Sequence, residues 1–254
     1  MTNGTEPPRT SLHVFPDLEA LSRAAAQHIV SHIDRVLSDR ERYTLALAGG
    51  STPRRLYELL ADVYSGTLPW NRVHLFWGDE RCVPHDHPQS NYRLAQETLL
   101  EPIDIPPENV HPIPAEGDPA ERARGYAETL AEFFDAPTRT FDAALLGMGA
   151  DGHTASVFPP VETDPSDPDA SDASWVRVTE APDAEISTRI TCTLPVLSGA
   201  SQALFLVSGS HKREALSRVL DDEDPSLPAA RVIPRTQRSW FVDTAARPGN
   251  GAGA

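Results

Sequence analysis

A chain of 254 residues with 22 Lys and Arg against 37 Asp and Glu carries a formal net charge of −15, which opposes nucleic acid and anionic membranes as partners. No apolar run approaches the roughly 18 residues of a membrane span. Met1 to Thr10 lacks the basic-then-apolar order of a secretory signal, so a cytoplasmic protein with free thiols at Cys82 and Cys192 is expected.

Residues 1–11 and 245–254 are small or polar and are expected to be disordered, leaving one domain over 12–244. From Asp17 to Arg40 the apolar positions Leu18, Leu21, Ala25, Ile29, Ile33 and Leu37 keep a helical period. Tyr43 to Ala48 reads as a strand that ends in Gly49-Gly-Ser-Thr-Pro53, a glycine turn with a hydroxyl N-cap and a proline to start a helix. Leu56, Leu59, Leu60 and Val63 then line one helix face. Val73 to Trp77 is the next strand and runs into Gly78-Asp-Glu-Arg81; Ser90 to Leu100 and Pro119 to Phe134 are helical. Ala143 to Leu146 is a buried strand entering Gly147-Met-Gly-Ala-Asp-Gly-His153. Pro160 to Ser174, rich in aspartate and proline, has no hydrophobic period and reads as a solvated acidic loop. Thr188 to Leu194 alternates Ile190, Cys192 and Leu194 inward as an additional strand. Ala203 to Val207 is followed by Ser208-Gly-Ser210 and a helix through Leu220, and Arg238 to Val242 closes the sheet. Strands alternating with helices imply a single-domain α/β fold, a mostly parallel, doubly wound (Rossmann-like) sheet with helices on both faces.

Open α/β sheets place their sites at the carboxyl ends of the strands. Cations in the first turns of two helices, Arg54 and Arg55 in one and Lys212 in the other, oppose the helix dipole by about 0.3–1 kcal/mol at exposed sites. They make sense if an anion sits between them and the free amides, with at most one of Arg54 and Arg55 facing it. His153 is the candidate for proton transfer, oriented by Asp151 or Asp79. His85-Asp-His87 lacks a second ligand pair at recognisable spacing, so no metal is expected. Asp79 and Glu80 are adjacent and point apart, which argues against a shared-proton dyad.

Gly49-Gly-Ser-Thr-Pro53, Trp77-Gly-Asp-Glu-Arg81 with Ser90-Asn-Tyr92, Gly147-Met-Gly-Ala-Asp-Gly-His-Thr-Ala-Ser156 and Arg189-Ile-Thr-Cys-Thr-Leu-Pro195 together resemble the 6-phosphogluconolactonase family over residues 12 to 243. The resemblance implies cofactor-free hydrolysis of 6-phosphoglucono-1,5-lactone to 6-phosphogluconate, the second step of the oxidative pentose phosphate pathway. It puts the catalytic histidine at His153 and a phosphate-binding set at Gly50, Ser51, Thr52, Arg81 and Lys212, with Arg189 near the substrate, in a monomer or small homo-oligomer. The acidic segment 160–174 departs from the family's compact pattern. Two alternatives share the fold, an aminosugar-phosphate deaminase/isomerase and a non-catalytic sugar-phosphate sensor. The deaminases carry a carboxylate five residues after the histidine, where this chain has Phe158. A sensor needs an output module, for which about a dozen leading residues are too few.

Overall fold

The computed structural model describes residues 7–159, 175–182 and 184–249. The chain order is β1 (Arg9–Phe15), α1 (Leu18–Leu37), β2 (Tyr43–Leu47), α2 (Thr52–Tyr64), β3 (Val73–Trp77), β4 (Asp79–Arg81), α3 (Asn91–Ala95), β5 (Val110–His111) and α4 (Pro119–Phe133). Then follow β6 (Ala143–Gly147), β7 (Val176–Glu180), β8 (Thr188–Cys192), α5 (Leu194–Ser198), β9 (Gln202–Val207), α6 (Arg213–Leu220), α7 (Pro228–Arg231) and β10 (Gln237–Asp243).

Seven strands form one parallel sheet in the order β1-β10-β9-β6-β2-β3-β5. Every residue of β2 and of β9 is buried, as expected for strands covered on both faces by helices. From β2 the chain moves outward through β3 to β5; from β6 it moves the other way through β9 to β10. The direction of winding therefore reverses between β2 and β6, which pair at Leu45 with Ala143 and Ala46 with Ala144. In doubly wound sheets the crevice beyond the strand ends at such a reversal is the place for a ligand. α1 is capped by Asp17, whose carboxylate accepts the Ala20 amide at 2.8 Å. It buries Leu21, Ala25, Ile29 and Ile33.

Three readings of the sequence need correction. Arg9 to Ser11 are not disordered: they open β1, which pairs in parallel from Arg9 with Gln237 to Phe15 with Asp243. This edge strand leaves most of its residues exposed, including Leu12 and Val14, so it lacks the alternation that marks a half-buried strand. β10 is consequently second from the edge. At the other terminus, Ala246 is fully buried and its amide donates to the Asp243 carboxylate at 2.7 Å; residues 1–6 and 250–254 lie outside the described residues. Finally, the additional strand expected at Thr188 to Leu194 is present but ends at Cys192 and lies outside the parallel sheet. It is the centre of a separate antiparallel sheet in the order β4-β8-β7, and Leu194 begins α5 instead of continuing the strand. The predicted helix at Ser90 is present, but its second half, Gln96–Leu100, winds as a π-helix. The acidic segment 160–174 lies outside the described residues.

Candidate active site

Beyond the ends of β2, β3 and β6 lies a cavity of about 240 Å³. Its lining includes Gly49 to Pro53, Asp79, Arg81, Asn91, Gly147 to Gly149, His153, Ala155 and Lys212. The loops that follow β2 and β6 flank the reversal point, and β4 supplies the wall between them.

The β6 loop is tied to itself. The Gly149 amide donates to the His153 carbonyl at 2.9 Å, the Gly152 amide to the Gly149 carbonyl at 3.1 Å, and the Thr154 hydroxyl to the Gly147 carbonyl at 2.8 Å. Gly152 has φ 84° and Ala155 has φ 47°. For alanine that is a left-handed conformation with a real steric cost, held at a cavity-lining residue. Gly149 is glycine for space: a Cβ there would collide with the His153 ring and the Asp151 carboxylate. Those two groups form a pair, His153 Nδ1 to Asp151 Oδ1 at 2.7 Å, and the same oxygen accepts the His153 amide at 3.1 Å. The side chains keep 34% and 47% of their exposure, so both meet solvent. Burial alone raises the Asp151 pKa, but its bonds to His153 outweigh this and hold the carboxyl below its ordinary value. With Nδ1 engaged, Nε2 is the ring nitrogen left for a substrate. Of the two carboxylates that could orient His153, Asp151 does so. Asp79 instead accepts from the Ser156 hydroxyl at 2.6 Å and from Asn91 Nδ2 at 3.2 Å.

The facing wall rests on Glu80, which is buried and accepts four hydrogen bonds. They come from the amides of Arg81 (2.7 Å), Asn91 (2.8 Å) and Tyr92 (2.8 Å) and from the Ser90 hydroxyl (3.0 Å). Burial pushes its carboxyl pKa up, and the four donors pull against that shift. The residue sits where the free amides of the first turn of α3 need an acceptor. Asn91, held by that turn, donates to the Asp79 carbonyl at 2.8 Å and accepts from Arg81 Nη1 at 2.5 Å. Its side chain occupies the space a Cβ at Gly49 would fill, so glycine is required there. Arg81 is further fixed by the Gln89 carbonyl at 2.7 Å. Glu80 and Asn91 were given no role by the sequence, although Ser90-Asn-Tyr92 stood out as a motif; apart from the Arg81 amide beside Glu80, their partners lie ten to twelve residues away, beyond the reach of local spacing.

The cations divide. Arg81 and Lys212 line the cavity, and Lys212 Nζ donates to the Met148 carbonyl. Burial lowers the Lys212 pKa while Asp151 opposes that shift. Arg54 and Arg55 do not line it. Arg55 is ion-paired to Glu19 of α1 at 2.6 Å and to Glu58 at 3.0 Å, so that side chain braces α2 against α1. The first turn of α2 keeps its amides free: Ser51 makes no side-chain cap, and Gly50 before it has φ 90°. Arg189 lies directly across from Arg81 in the β4–β8 pairing, and its Nη1 donates to the Ile186 carbonyl, outside the cavity lining. Burial first, and then the charge of Arg81, lower its pKa. His85 is stacked on Tyr92 with Nε2 2.9 Å from the Ile113 carbonyl, and His87 Nδ1 accepts the Gln89 amide at 3.1 Å. Both rings therefore have structural partners.

Residues 16–241 match the family model for glucosamine-6-phosphate isomerases/6-phosphogluconolactonase. A 6-phosphogluconolactonase of Nostoc sp. is 37% identical over 246 residues, covering 94% of this chain and 97% of its own. One of Mycobacterium tuberculosis is 35% identical over 92% of this chain and 96% of its own. The crystal structure of 6-phosphogluconolactonase from Thermotoga maritima superposes with a TM-score of 0.80 at 31% identity, covering 93% of this chain and 100% of that one. A monomeric glucosamine-6-phosphate deaminase superposes with a TM-score of 0.79 over 93% and 98% of the two chains, but at 20% identity; that likeness shows a shared fold.

Proposed function

The chain belongs to the glucosamine-6-phosphate isomerase/6-phosphogluconolactonase family, and we propose that it hydrolyses 6-phospho-D-glucono-1,5-lactone to 6-phospho-D-gluconate. The observation that carries this reading is the Asp151–His153 pair at the cavity, with one imidazole nitrogen anchored and the other left for a substrate. Five residues on, Phe158 packs its ring 4.9 Å from the histidine, so this position offers no carboxylate for the several proton transfers of aminosugar isomerisation. Relatives named 6-phosphogluconolactonase match at 32–39% identity over nearly the whole chain.

In the proposed reaction, Asp151 holds the Nδ1–H tautomer and Nε2 removes a proton from water. The nascent hydroxide attacks the lactone carbonyl carbon, giving a tetrahedral oxyanion. Collapse breaks the bond to the ring oxygen, and the imidazolium returns its proton to that oxygen. The oxyanion needs donors preorganised where its charge develops, for which the cavity offers backbone amides and Arg81. The phosphate is assigned to the free amides at Gly50, Ser51 and Thr52 together with Arg81 and Lys212, an anion at a helix N-terminus backed by cations. Arg189, opposite Arg81 on the neighbouring strand, adds positive charge near the substrate, and Asp79 positions Ser156 and Asn91. Base-catalysed opening of an activated ester asks for no metal or organic cofactor. The proposed setting is the oxidative pentose phosphate pathway in the cytoplasm. Among the described residues, no helix is long and apolar enough to cross a membrane.

The test is turnover of freshly generated lactone by the purified protein, with spontaneous opening subtracted. The expected result is catalysed release of the acid; a rate no higher than the spontaneous one would refute the reading.

A further inference from the structure

At the opposite end of the parallel sheet, where the strands begin, lies a second cavity of about 550 Å³. Four arginines from three segments converge on it. Arg40 and Arg42 come from the α1–β2 connection, Arg139 from the segment before β6, and Arg235 from the segment before β10. Two carboxylates, Asp135 and Asp142, share the lining, which leaves an excess of two positive charges (four minus two). Gathering like charges is unfavourable unless something compensates them, and here it happens on a chain whose net charge is −15.

The carboxylates supply only part of that compensation, since among the described residues Asp142 pairs with Arg40 alone. Asp142 is buried and already accepts from Arg40 Nη1, the Thr44 amide at 2.8 Å and the Thr44 hydroxyl at 3.0 Å. Among the described residues, Asp135 forms no ion pair with any of the four arginines. Arg42 lies 4.2 Å over the Phe133 ring, and among the described residues Arg235 spends only Nε, on the Gly199 carbonyl at 2.8 Å. The Arg139 side chain makes no hydrogen bond or ion pair among the described residues. The charge on Arg235 is disfavoured by burial first and then by Arg139, with Asp142 partly offsetting this. Guanidinium groups match phosphate oxygens in paired geometry, and the volume falls within the roughly 300–1,000 Å³ of small-molecule sites.

We propose that this cavity is a second binding site, for a small phosphate-bearing anion of charge two or more, held by Arg42, Arg139 and Arg235 and separated from the His153 cavity by the length of the sheet. The occupant supplies the negative charge that the lining lacks. The cavity touches the starts of β2, β6 and β9, the strands whose far ends carry the active-site loops.

The test titrates inorganic pyrophosphate, at low ionic strength and by calorimetry, into a Lys212→Ala protein in which phosphate capture at the other cavity is weakened. The same titration is then run with Arg139→Ala and Arg235→Ala added. Binding is expected in the first protein, with at least a tenfold loss of affinity in the second and a further loss on adding salt. The two arginine changes alone should leave lactone turnover in an otherwise unaltered protein as it was. Should the double change impair folding, Arg139→Gln alone, at an exposed side chain without a partner among the described residues, should still weaken binding about threefold. Absence of pyrophosphate binding in the first protein, or equal affinity with and without the arginines, would overturn the proposal.

Discussion

The two walls of the His153 cavity are built on opposite plans. On the β6 side the reacting pair is half exposed, held by bonds within one short loop and given room by a glycine. On the β4 side the determining group, Glu80, is buried, lies outside the cavity lining and collects four donors. The contrast separates two tasks. A group that exchanges protons with water must reach solvent and therefore cannot be fixed by burial. The geometry around it can be fixed, by a polar bracket whose members satisfy one another away from water. Ser156 joins the walls, its hydroxyl reaching Asp79 at 2.6 Å and its amide meeting Thr191 Oγ1 at 3.2 Å.

If the walls divide the work in this way, substitutions should separate rate from stability. The largest effect expected is on rate: His153→Ala should lower kcat by about 10²–10⁴, the usual contribution of a positioned acid–base group, with an unchanged melting temperature. Near-normal turnover in the folded variant would remove His153 from its assigned role. Glu80→Gln should do the reverse. Replacing a buried acceptor with an amide leaves donors facing donors, and a loss of stability of about 2–4 kcal/mol is expected from the cost of unsatisfied buried groups. Denaturant melts that leave Glu80→Gln as stable as the parent would show that the bracket does not hold the wall. Lys212→Ala should weaken 6-phosphogluconate binding by about 1.5–3 kcal/mol, the range for hydrogen bonds to charged groups, and affect unphosphorylated gluconate far less. Equal losses for both ligands would mean that Lys212 does not read the phosphate.

The smallest effect concerns a histidine that serves structure. His32 is buried against Tyr43, with Nδ1 2.8 Å from its hydroxyl. Burial, followed by the charge of Arg35, pushes its pKa down to about 4. The folded state therefore prefers the neutral ring. The stabilisation is complete above the unfolded value of about 6.5 and is lost as pH falls from there through the folded value. About 1–2 kcal/mol should disappear between pH 7 and pH 5, and His32→Gln should flatten that part of the curve. An unchanged slope in the variant would place the acid sensitivity elsewhere.

Much of this was legible in the sequence because it is written locally. The helical period from Leu18 to Leu37, the buried runs of β2, β3, β6 and β9, and the glycine turns after them each occupy one stretch of chain. His153 and Lys212, which both line the cavity, stood out for the same reason. What escaped depends on distant pairing. β1 leaves its apolar Leu12 and Val14 exposed, and only its pairing with β10 defines it. β4 is three residues long within a Gly-Asp-Glu-Arg run that reads as a turn until β8 is set beside it. That neither Arg54 nor Arg55 lines the cavity was hidden too, since the partner of Arg55, Glu19, lies on another helix. The choice between Asp151 and Asp79 likewise needed the fold, because Ser156 and Asn91 claim Asp79 only once the loops are folded together.

The central claim, that one imidazole with an aspartate behind it serves lactone hydrolysis and not aminosugar deamination, is tested most directly by giving a single preparation both substrates. Initial rates would be measured in parallel on freshly generated 6-phosphogluconolactone, corrected for spontaneous opening, and on glucosamine 6-phosphate, followed by ammonia release. The account predicts fast, enzyme-dependent acid formation from the first and no ammonia from the second. Ammonia release at a rate comparable to lactone hydrolysis would contradict it.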